Sequence, residues 1–156
     1  MITQNKLIDI ADTRMLHAFW PFLAGGLSKL NETGVNGDGV TAETFLKVIL
    51  RVLAYGPDFG RVTILVNRAD KPLAFGVVFD NSERFGKKTA LVYAAYSTGK
   101  CATAITELRQ EAERWANSHG FEELHAVSLR INGATFRIFE RLWGFRRSAV
   151  IFKKTL

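Results

Sequence analysis

The sequence predicts an α/β fold of the mixed α+β type, with its elements in the order βααβββαβαβ. Segments with apolar residues at every third or fourth position, typical of helices, alternate with short segments of alternating or continuous apolar residues, typical of strands. The run over 89–96 is apolar on both faces, which indicates a central strand covered by helices on each side. A length of 156 residues, 47% of them apolar, suits one domain over 1–156.

The first part of the chain predicts one strand and two helices. Residues 7–10 form the strand. Asp12 is placed to cap the first helix, and Gly25-Gly26 indicates where that helix loosens. Residues 31–40 are rich in Gly and Asn and predict an exposed loop. Thr41 then caps a second helix whose apolar residues recur on one face.

Three strands follow in the middle of the chain. Residues 62–66 and 73–79 are joined by a short turn, which favours an antiparallel hairpin. A second turn over 81–87 leads to the strand over 89–96.

The last third predicts a helix, a strand, a helix and a strand. Apolar residues at three- and four-residue spacing predict the clearest helix of the chain, from Ala102 to Gly120. A strand over 124–129 follows it. A helix over 134–142 and a strand over 149–153 complete the order.

The net charge of +6 is concentrated at the C-terminus. After residue 129, Glu140 is the one acidic residue. The basic residues there are Arg130, Arg137, Arg141, Arg146, Arg147, Lys153 and Lys154. A basic face attracts nucleic acid, an acidic protein or the phosphates of a nucleotide cofactor, or is simply a solvated helix face. Between the ligands, we favour a phosphate-bearing molecule over nucleic acid.

The cysteine content and the hydropathy exclude several classes of protein and of binding site. Cys101 is the only cysteine, so an internal disulfide or a cysteine-based zinc cluster cannot form. No apolar run approaches the roughly 20 residues that span a bilayer. The N-terminus has no basic segment followed by an apolar one. We therefore expect a cytoplasmic protein with no membrane partner and no metal site.

The loop between the central strand and the clearest helix has the pattern of an anion site. Ser97-Thr98-Gly99-Lys100 follows the strand directly and leads into the helix. The first N–H groups of a helix have no partner inside it, and the helix dipole is positive at that end. Small residues with hydroxyls, together with Lys100, predict a phosphate site. An ordinary strand-to-helix turn is the alternative interpretation.

This loop and the later residues Asn132 and Trp143-Gly144-Phe145 resemble the GNAT superfamily of acetyl-CoA-dependent N-acyltransferases. The resemblance implies a central, mostly antiparallel twisted sheet with helices on both faces. It also implies that acetyl-CoA is the cofactor and that the reaction moves its acetyl group to a primary amine. The cofactor-binding residues that it implies are Tyr93, Ala94, Ala95, Ser97, Thr98, Gly99, Lys100, Cys101, Ala102, Asn132 and Phe139.

Catalytic residues are less clearly indicated. The family commonly has a Tyr that gives a proton to the departing thiolate, and here Phe139 or, in the other alignment, Glu140 occupies its position. Tyr96 lies next to the loop, where it either touches the thioester or packs on the first helix. We take Tyr96 and Glu140 as the catalytic candidates. The other proton carriers are Tyr93, His125, Glu83 and Asp80.

The competing interpretation is a GNAT-like binding or regulatory protein that has lost acyl transfer and acts through its basic C-terminal face. In the enzyme interpretation the partner is a small-molecule or protein amine, and the sequence of residues 12–60 points to no particular one. Trp20, Trp115 and Trp143 are more consistent with core packing than with stacking on bases, so nucleic acid is the third choice. A homodimer stays open.

Overall fold

The computed structural model describes residues 5–32, 40–101, 103–126, 137–146 and 154. Its elements are β1 (Lys6–Asp9), α1 (Thr13–Glu32), α2 (Ala42–Tyr55), β2 (Gly60–Val66), β3 (Pro72–Asp80), α3 (Ser82–Phe85), β4 (Thr89–Ser97), α4 (Ala104–Ser118), β5 (Glu123–Ala126) and a π-helical segment (Ile138–Leu142). The predicted strand over 149–153, Ala102, Asn132 and most of the predicted loop over 31–40 lie outside the described residues.

The described strands form one sheet in the order β1-β2-β3-β4-β5. The first four strands are antiparallel to their neighbours, whereas β5 is parallel to β4. A parallel neighbour requires a crossover connection, and α4 provides it. The predicted mixed class with a mostly antiparallel sheet is confirmed.

Helices cover both faces of the sheet, as predicted. One face packs against α1 and α2, in a core that includes Leu23, Phe45, Ile49 and Phe75. The other face packs against α4 in two smaller clusters. The two faces are called the α1/α2 face and the α4 face below.

Two predicted helix caps are present. The carboxylate of Asp12 accepts a hydrogen bond from the N–H of Met15 at 2.8 Å. The hydroxyl of Thr41 accepts one from the N–H of Thr44 at 3.1 Å. Each bond satisfies an N–H group that has no partner within its own helix, so the starts of α1 and α2 follow from the sequence.

The prediction that α1 loosens at Gly25-Gly26 is wrong. The helix is continuous through both residues. Gly26 is buried, and a Cβ built there would lie 2.5 Å from Cε1 of Phe75 and 2.6 Å from Cδ1 of Tyr96. The missing side chain therefore allows the helix to approach the sheet, and close packing outweighs the poor helix propensity of glycine.

Two further boundaries differ from the predictions. The turn over 81–87 contains the short helix α3, and Asp80 accepts a hydrogen bond from the N–H of Ser82 at 2.8 Å. The long helix α4 begins at Ala104, two residues later than predicted. Asp80 is the last residue of β3, and its carboxylate fixes the start of this turn.

A β-bulge interrupts the pairing of β3 with β4. Val77 lies opposite Ala94 and Val78 lies opposite Val92, which leaves Tyr93 as the extra residue. A bulge of this kind breaks the alternation of side chains along a strand. Consequently Tyr93, Ala94 and Tyr96 all contact the core of the α1/α2 face. This feature is called the Tyr93 bulge.

An ionic network joins β1, β2 and α4 on the α4 face. Arg61 donates two hydrogen bonds to Asp9, at 2.6 and 2.8 Å, and a third to Glu111. Arg114 also donates to Glu111. The hydrogen bond to Asp9 raises the pKa of Arg61 above its usual value. Burial alone raises the pKa of Glu111, but the hydrogen bonds and charges of Arg114 and Arg61 outweigh it and hold that pKa below its ordinary range.

Glu111→Gln is expected to lower the free energy of unfolding at pH 7 by roughly 1–3 kcal/mol, the size of a hydrogen bond to a charged group. A carboxyl with a lowered pKa stabilises the fold above its ordinary pKa of about 4.3 and loses that contribution as the pH falls through the folded-state value. The difference between variant and natural protein should therefore shrink at about pH 3. Urea unfolding at both pH values measures it.

Glu43→Gln is the matched control, because Glu43 pairs with Lys47 on the exposed surface of α2 at 3.0 Å. It should change the unfolding free energy by less than about 0.5 kcal/mol at either pH. Equal effects of the two substitutions would contradict the role given to the network.

Candidate active site

The loop after β4 turns sharply at Gly99. Just after β4, the N–H of Thr98 still donates a hydrogen bond to the carbonyl of Leu73 on β3 at 2.9 Å. Gly99 then has φ of +82°, a conformation that side-chain-bearing residues rarely adopt. The hydroxyl of Ser97 accepts a hydrogen bond from the N–H of Gly99 at 3.2 Å. The backbone therefore requires glycine at position 99.

The start of α4 presents N–H groups that have no partner among the residues the structure describes. The N–H of Ala104 donates to the carbonyl of Cys101 at 3.3 Å. Within the described ranges, no acceptor pairs with the N–H of Cys101, Thr103 or Ile105. Thr103 occupies the cap position, but its side chain makes no capping hydrogen bond. Free N–H groups at the positive end of a helix dipole are an environment that favours an anion.

Two charges of opposite sign flank this helix start. Lys100 is exposed on the loop. Glu107 lies in the first turn of α4, and its carboxylate accepts a hydrogen bond from the hydroxyl of Thr103 at 3.0 Å. Lys100 attracts an anion to this end of α4, whereas the carboxylate of Glu107 repels it. An anion can bind here only if the attraction by the N–H groups and Lys100 exceeds the repulsion by Glu107.

Cys101 links the loop to the beginning of the chain. Its sulfur accepts a hydrogen bond from the side-chain amide of Asn5 at 3.3 Å and lies 3.5 Å from the hydroxyl of Thr103. The thiol is half-buried. These contacts hold the loop against the residue that precedes β1.

The Tyr93 bulge places a phenol over the α1/α2 face. The ring of Tyr93 is stacked on Phe45, with centroids 6.2 Å apart, and is tilted against Phe79 at 5.6 Å. Burial raises the pKa of Tyr93 above its ordinary value of about 10. The phenol is therefore protonated at neutral pH and is available as a hydrogen-bond donor.

Tyr96 packs on the first helix. Its ring lies 6.0 Å from that of Phe22 and 5.7 Å from that of Phe75, measured between centroids. The close approach of Gly26 completes the contact. Of the two roles considered for Tyr96, packing on α1 is confirmed. The other role, contact with a thioester, remains a prediction.

The segment over 137–146 rests on α4 through aromatic and cationic side chains. Phe139 packs edge-on against Trp143 and Phe145, with centroids 5.0 and 5.6 Å apart. The guanidinium of Arg109 lies 5.7 Å from the centre of the Trp143 ring. Arg109 also donates to Glu113 at 2.5 Å.

These contacts place Phe139 as a packing residue within its own segment. Among the described side chains, its ring contacts are with Trp143 and Phe145, and none joins it to Tyr96. Glu140 is half-buried on the same segment. The two catalytic candidates, Tyr96 and Glu140, thus lie on different elements.

Three other residues considered in the sequence, His125, Trp20 and Trp115, have partners in the fold. His125 on β5 lies 2.7 Å from the carboxylate of Glu123. Trp20 packs on Phe45, whereas Trp115 donates a hydrogen bond to the carbonyl of Pro57 at 2.9 Å. The three tryptophans have different partners and form no common stacking surface.

Arg109 is a residue that the sequence did not single out. Its Nε is buried and has no hydrogen-bond partner in the part of the chain that the structure describes. The one feature of the sequence that indicates a contact for Arg109 is its spacing from Glu113, one helical turn away. Such a pair is common on helix surfaces, and nothing in the sequence joins it to Trp143.

A cavity of about 510 Å³ lies at the other end of the sheet, between the C-terminal ends of α2 and α4. Asp9, Arg61 and Glu111 line it, so it belongs to the ionic network and not to the loop at Gly99.

In the described ranges no group of three or more His, Cys, Asp or Glu side chains is arranged to hold a metal ion. None of the described helices has the length and apolar content needed to cross a membrane.

The antiparallel sheet, the parallel β4–β5 pair with its α4 crossover and the helices on both faces define the GNAT fold of N-acetyltransferases. No family model and no curated protein matches the sequence. Solved structures do match over nearly the whole chain. The aminoglycoside N-acetyltransferase AAC(6')-Iy in complex with CoA has a TM-score of 0.73 at 13% identity, covering 99% of this chain and 97% of that one.

A second solved structure gives the same result. Glucosamine-6-phosphate N-acetyltransferase from Arabidopsis thaliana has a TM-score of 0.62 at 15% identity, covering 97% of this chain and 98% of its own. At such identities the similarity establishes the fold. The fold expected from the GNAT resemblance is confirmed.

Proposed function

We propose that this chain is an N-acetyltransferase, which transfers the acetyl group of acetyl-CoA to a primary amine. One observation carries the proposal. The N–H groups of Cys101, Thr103 and Ile105 have no acceptor among the described residues, at the point where β4 leads into α4. The fold adds support, because one of the similar solved structures contains CoA.

The proposed cofactor site follows β4 and its loop. Gly99 and Lys100 fit a pyrophosphate, since one provides the turn and the other a positive charge beside free N–H groups. The residues proposed to bind the cofactor are Tyr93, Ala94, Ala95, Ser97, Thr98, Gly99, Lys100, Cys101, Ala102, Asn132 and Phe139.

Bound acetyl-CoA supplies a thioester whose carbonyl carbon is open to attack by a neutral amine. The amine nitrogen bonds to that carbon, the carbon–sulfur bond breaks, and the proton that the nitrogen loses goes to the departing thiolate. Tyr96 and Glu140 are the proposed proton carriers. Positioning of the two reactants contributes a large part of the rate in this proposal.

The alternative function is a binding or regulatory protein that acts through the basic C-terminal face. Leu142 is 74% exposed there, between the exposed cations Arg141 and Arg146. An exposed apolar side chain among cations favours an acidic protein partner. Phe139, which has no hydroxyl to donate a proton, also favours this alternative.

Calorimetric titration with acetyl-CoA, and with CoA for comparison, tests the proposal directly. An N-acetyltransferase should bind acetyl-CoA with a micromolar dissociation constant and then release CoA in the presence of amines. A protein that is folded by circular dichroism but binds neither compound would contradict the proposal and favour the alternative function.

Lys100→Ala is expected to weaken acetyl-CoA binding about three- to tenfold at low ionic strength. The effect should nearly disappear at about 1 M salt, where the Debye length falls to roughly 3 Å. Lys47→Ala, on the exposed surface of α2, is the control and should leave the affinity unchanged. An unchanged affinity for Lys100→Ala at low salt would remove Lys100 from the site.

A further inference from the structure

The segment over 137–146 is a compact unit held together by its own aromatic side chains. A hydrogen bond from the N–H of Phe145 to the carbonyl of Phe139, at 2.8 Å, closes its backbone. The rings of Trp143 and Phe145 both pack edge-on against Phe139. The central residues are π-helical, a rare conformation that is frequent at functional sites. Because these contacts couple the residues, a displacement of Trp143 would also displace Phe139 and its neighbour Glu140.

The side chain of Arg109 joins this unit to α4. Its guanidinium lies 5.7 Å from the centre of the Trp143 ring, and the side chain is 17% exposed. A cation over an indole is attracted more strongly when it is removed from water. Glu113, one helical turn further along, accepts a hydrogen bond from Nη1 of Arg109 at 2.5 Å. Trp143 therefore packs on a cation whose position is fixed by α4.

Arg109 lies close to the candidate anion site at the start of α4. The N–H of Ile105 is one of the groups there that have no acceptor among the described residues. Arg109 follows Ile105 by four positions, so both lie on one face of the helix, about 6 Å apart along its axis. The same helix thus presents the N–H groups at its first residues and holds the segment over 137–146 one turn later.

The guanidinium of Arg109 is poorly suited to stabilising the fold. Its Nε is buried and has no hydrogen-bond partner among the residues that the structure describes. An unpaired N–H of a charged group away from water has a cost that the other contacts of the side chain must offset. An apolar side chain of similar length would fill the same space without this cost. The orientation that the cation gives to Trp143 therefore explains its presence better than stability does.

We propose that Arg109 is a positioning residue, which holds the segment over 137–146 against α4 through Trp143. The inference rests on the proposed acetyl transfer, in which Phe139 binds the cofactor and Glu140 carries a proton. Arg109 acts on both residues through the segment and touches neither the cofactor nor the reacting atoms. It sets the distance between these two residues and the proposed pyrophosphate site.

Arg109→Met tests this role, because methionine keeps much of the aliphatic side chain and removes the guanidinium. Calorimetric titration should show about tenfold weaker binding of acetyl-CoA, the size of a desolvated cation–π contact. The urea midpoint of unfolding should stay nearly unchanged, since the lost partner Glu113 is 38% exposed. Arg109→Lys keeps a cation near the ring and should lose no more than about threefold in affinity. A fall in the midpoint that accompanies the loss of affinity would assign Arg109 to the stability of the fold and overturn the inference.

Arg51→Met is the matched control, because Arg51 makes the same kind of contact on α2. Its guanidinium lies 5.8 Å from the centre of the Tyr55 ring and 5.5 Å from that of Phe59. The substitution removes the same charge, so it also controls for the general attraction of an anionic cofactor by a basic protein. Its affinity for acetyl-CoA should stay within about twofold of the natural protein. Equal losses for Arg51→Met and Arg109→Met would overturn the inference.

Hydrogen exchange separates this inference from the proposed function. Amide exchange in the peptide over 137–146, followed by mass spectrometry without any cofactor, reports how firmly the segment is held. Arg109→Met should accelerate it at least fivefold, whereas Arg51→Met should leave it unchanged. If the natural protein does not bind acetyl-CoA, the proposed function fails and this exchange rate alone decides whether Arg109 holds the segment. If acetyl-CoA binds and the exchange rate is the same in Arg109→Met, the proposed function stands and the inference is overturned.

Discussion

Gly99→Val is expected to weaken acetyl-CoA binding by about ten- to a hundredfold, with tenfold corresponding to 1.4 kcal/mol. A β-branched residue with φ near +82° is strained by roughly 1–3 kcal/mol. A Cβ at this position would meet no atom within 4 Å, so the effect comes from the backbone and not from a clash. The loop is expected to relieve the strain by rotating, which turns its N–H groups away from the phosphate. Calorimetric titration measures the change.

Gly99→Asn is the control for this prediction. Asparagine tolerates positive φ better than other side chains, so the loop should keep its conformation and the affinity should fall by no more than about threefold. Comparable losses for Val and Asn would indicate that the loop conformation does not govern binding. Both variants should unfold at nearly the same urea concentration as the natural protein, because Gly99 is exposed.

Gly26→Ala is expected to lower the free energy of unfolding by about 1–3 kcal/mol, although alanine is the better helix former. The new methyl group would lie 2.5 Å from the ring of Phe75 and 2.6 Å from that of Tyr96. Helix α1 would have to move away from the sheet, and the packing of Tyr96 would loosen. Urea unfolding followed by circular dichroism gives the change in free energy.

The neighbouring glycine supplies the opposite expectation. Gly25 is exposed within the same helix, and a Cβ there would meet no atom within 4 Å. Gly25→Ala should therefore stabilise the protein by about 0.5–1 kcal/mol. Two adjacent substitutions of the same kind with opposite signs would confirm that Gly26 is present for close approach. Stabilisation by both would contradict it.

Local chemistry accounts for the parts of the fold that were predicted correctly. The caps at Asp12 and Thr41 involve residues three apart, so the sequence contains the whole interaction. The apolar periodicity of α2 and α4 likewise depends on one helix at a time. The mixed class and the mostly antiparallel sheet follow from the order of such elements.

Features that depend on distant residues could not be predicted in this way. The role of Gly26 depends on two rings of the sheet, about 50 and 70 positions further along the chain. The Tyr93 bulge requires the register of β3 against β4, which no single strand specifies. In both cases the structural role depends on a contact with another segment, which the pattern within one segment does not show.

The same distinction between local and long-range contacts applies to the candidate site. The turn at Gly99 and the start of the next helix are local, and the resemblance placed them at the end of the central strand. The partners of Tyr96 and the contact of Arg109 with Trp143 depend on how separate elements meet. Thr103 occupies the cap position of α4, but its hydroxyl donates to Glu107 instead of accepting from the backbone.

The ionic network at Arg61 has a consequence for the lifetime of the folded chain. Arg61 is 52 positions from Asp9 and 50 from Glu111 along the sequence, so it joins three elements that must first come together. Contacts of this separation tend to form late in folding, after most of the loop-closure entropy has been lost. Breaking them then accelerates unfolding and leaves the folding rate nearly unchanged. The network is therefore expected to lower the unfolding rate, which lengthens the time between openings of the sheet at the edge formed by β1.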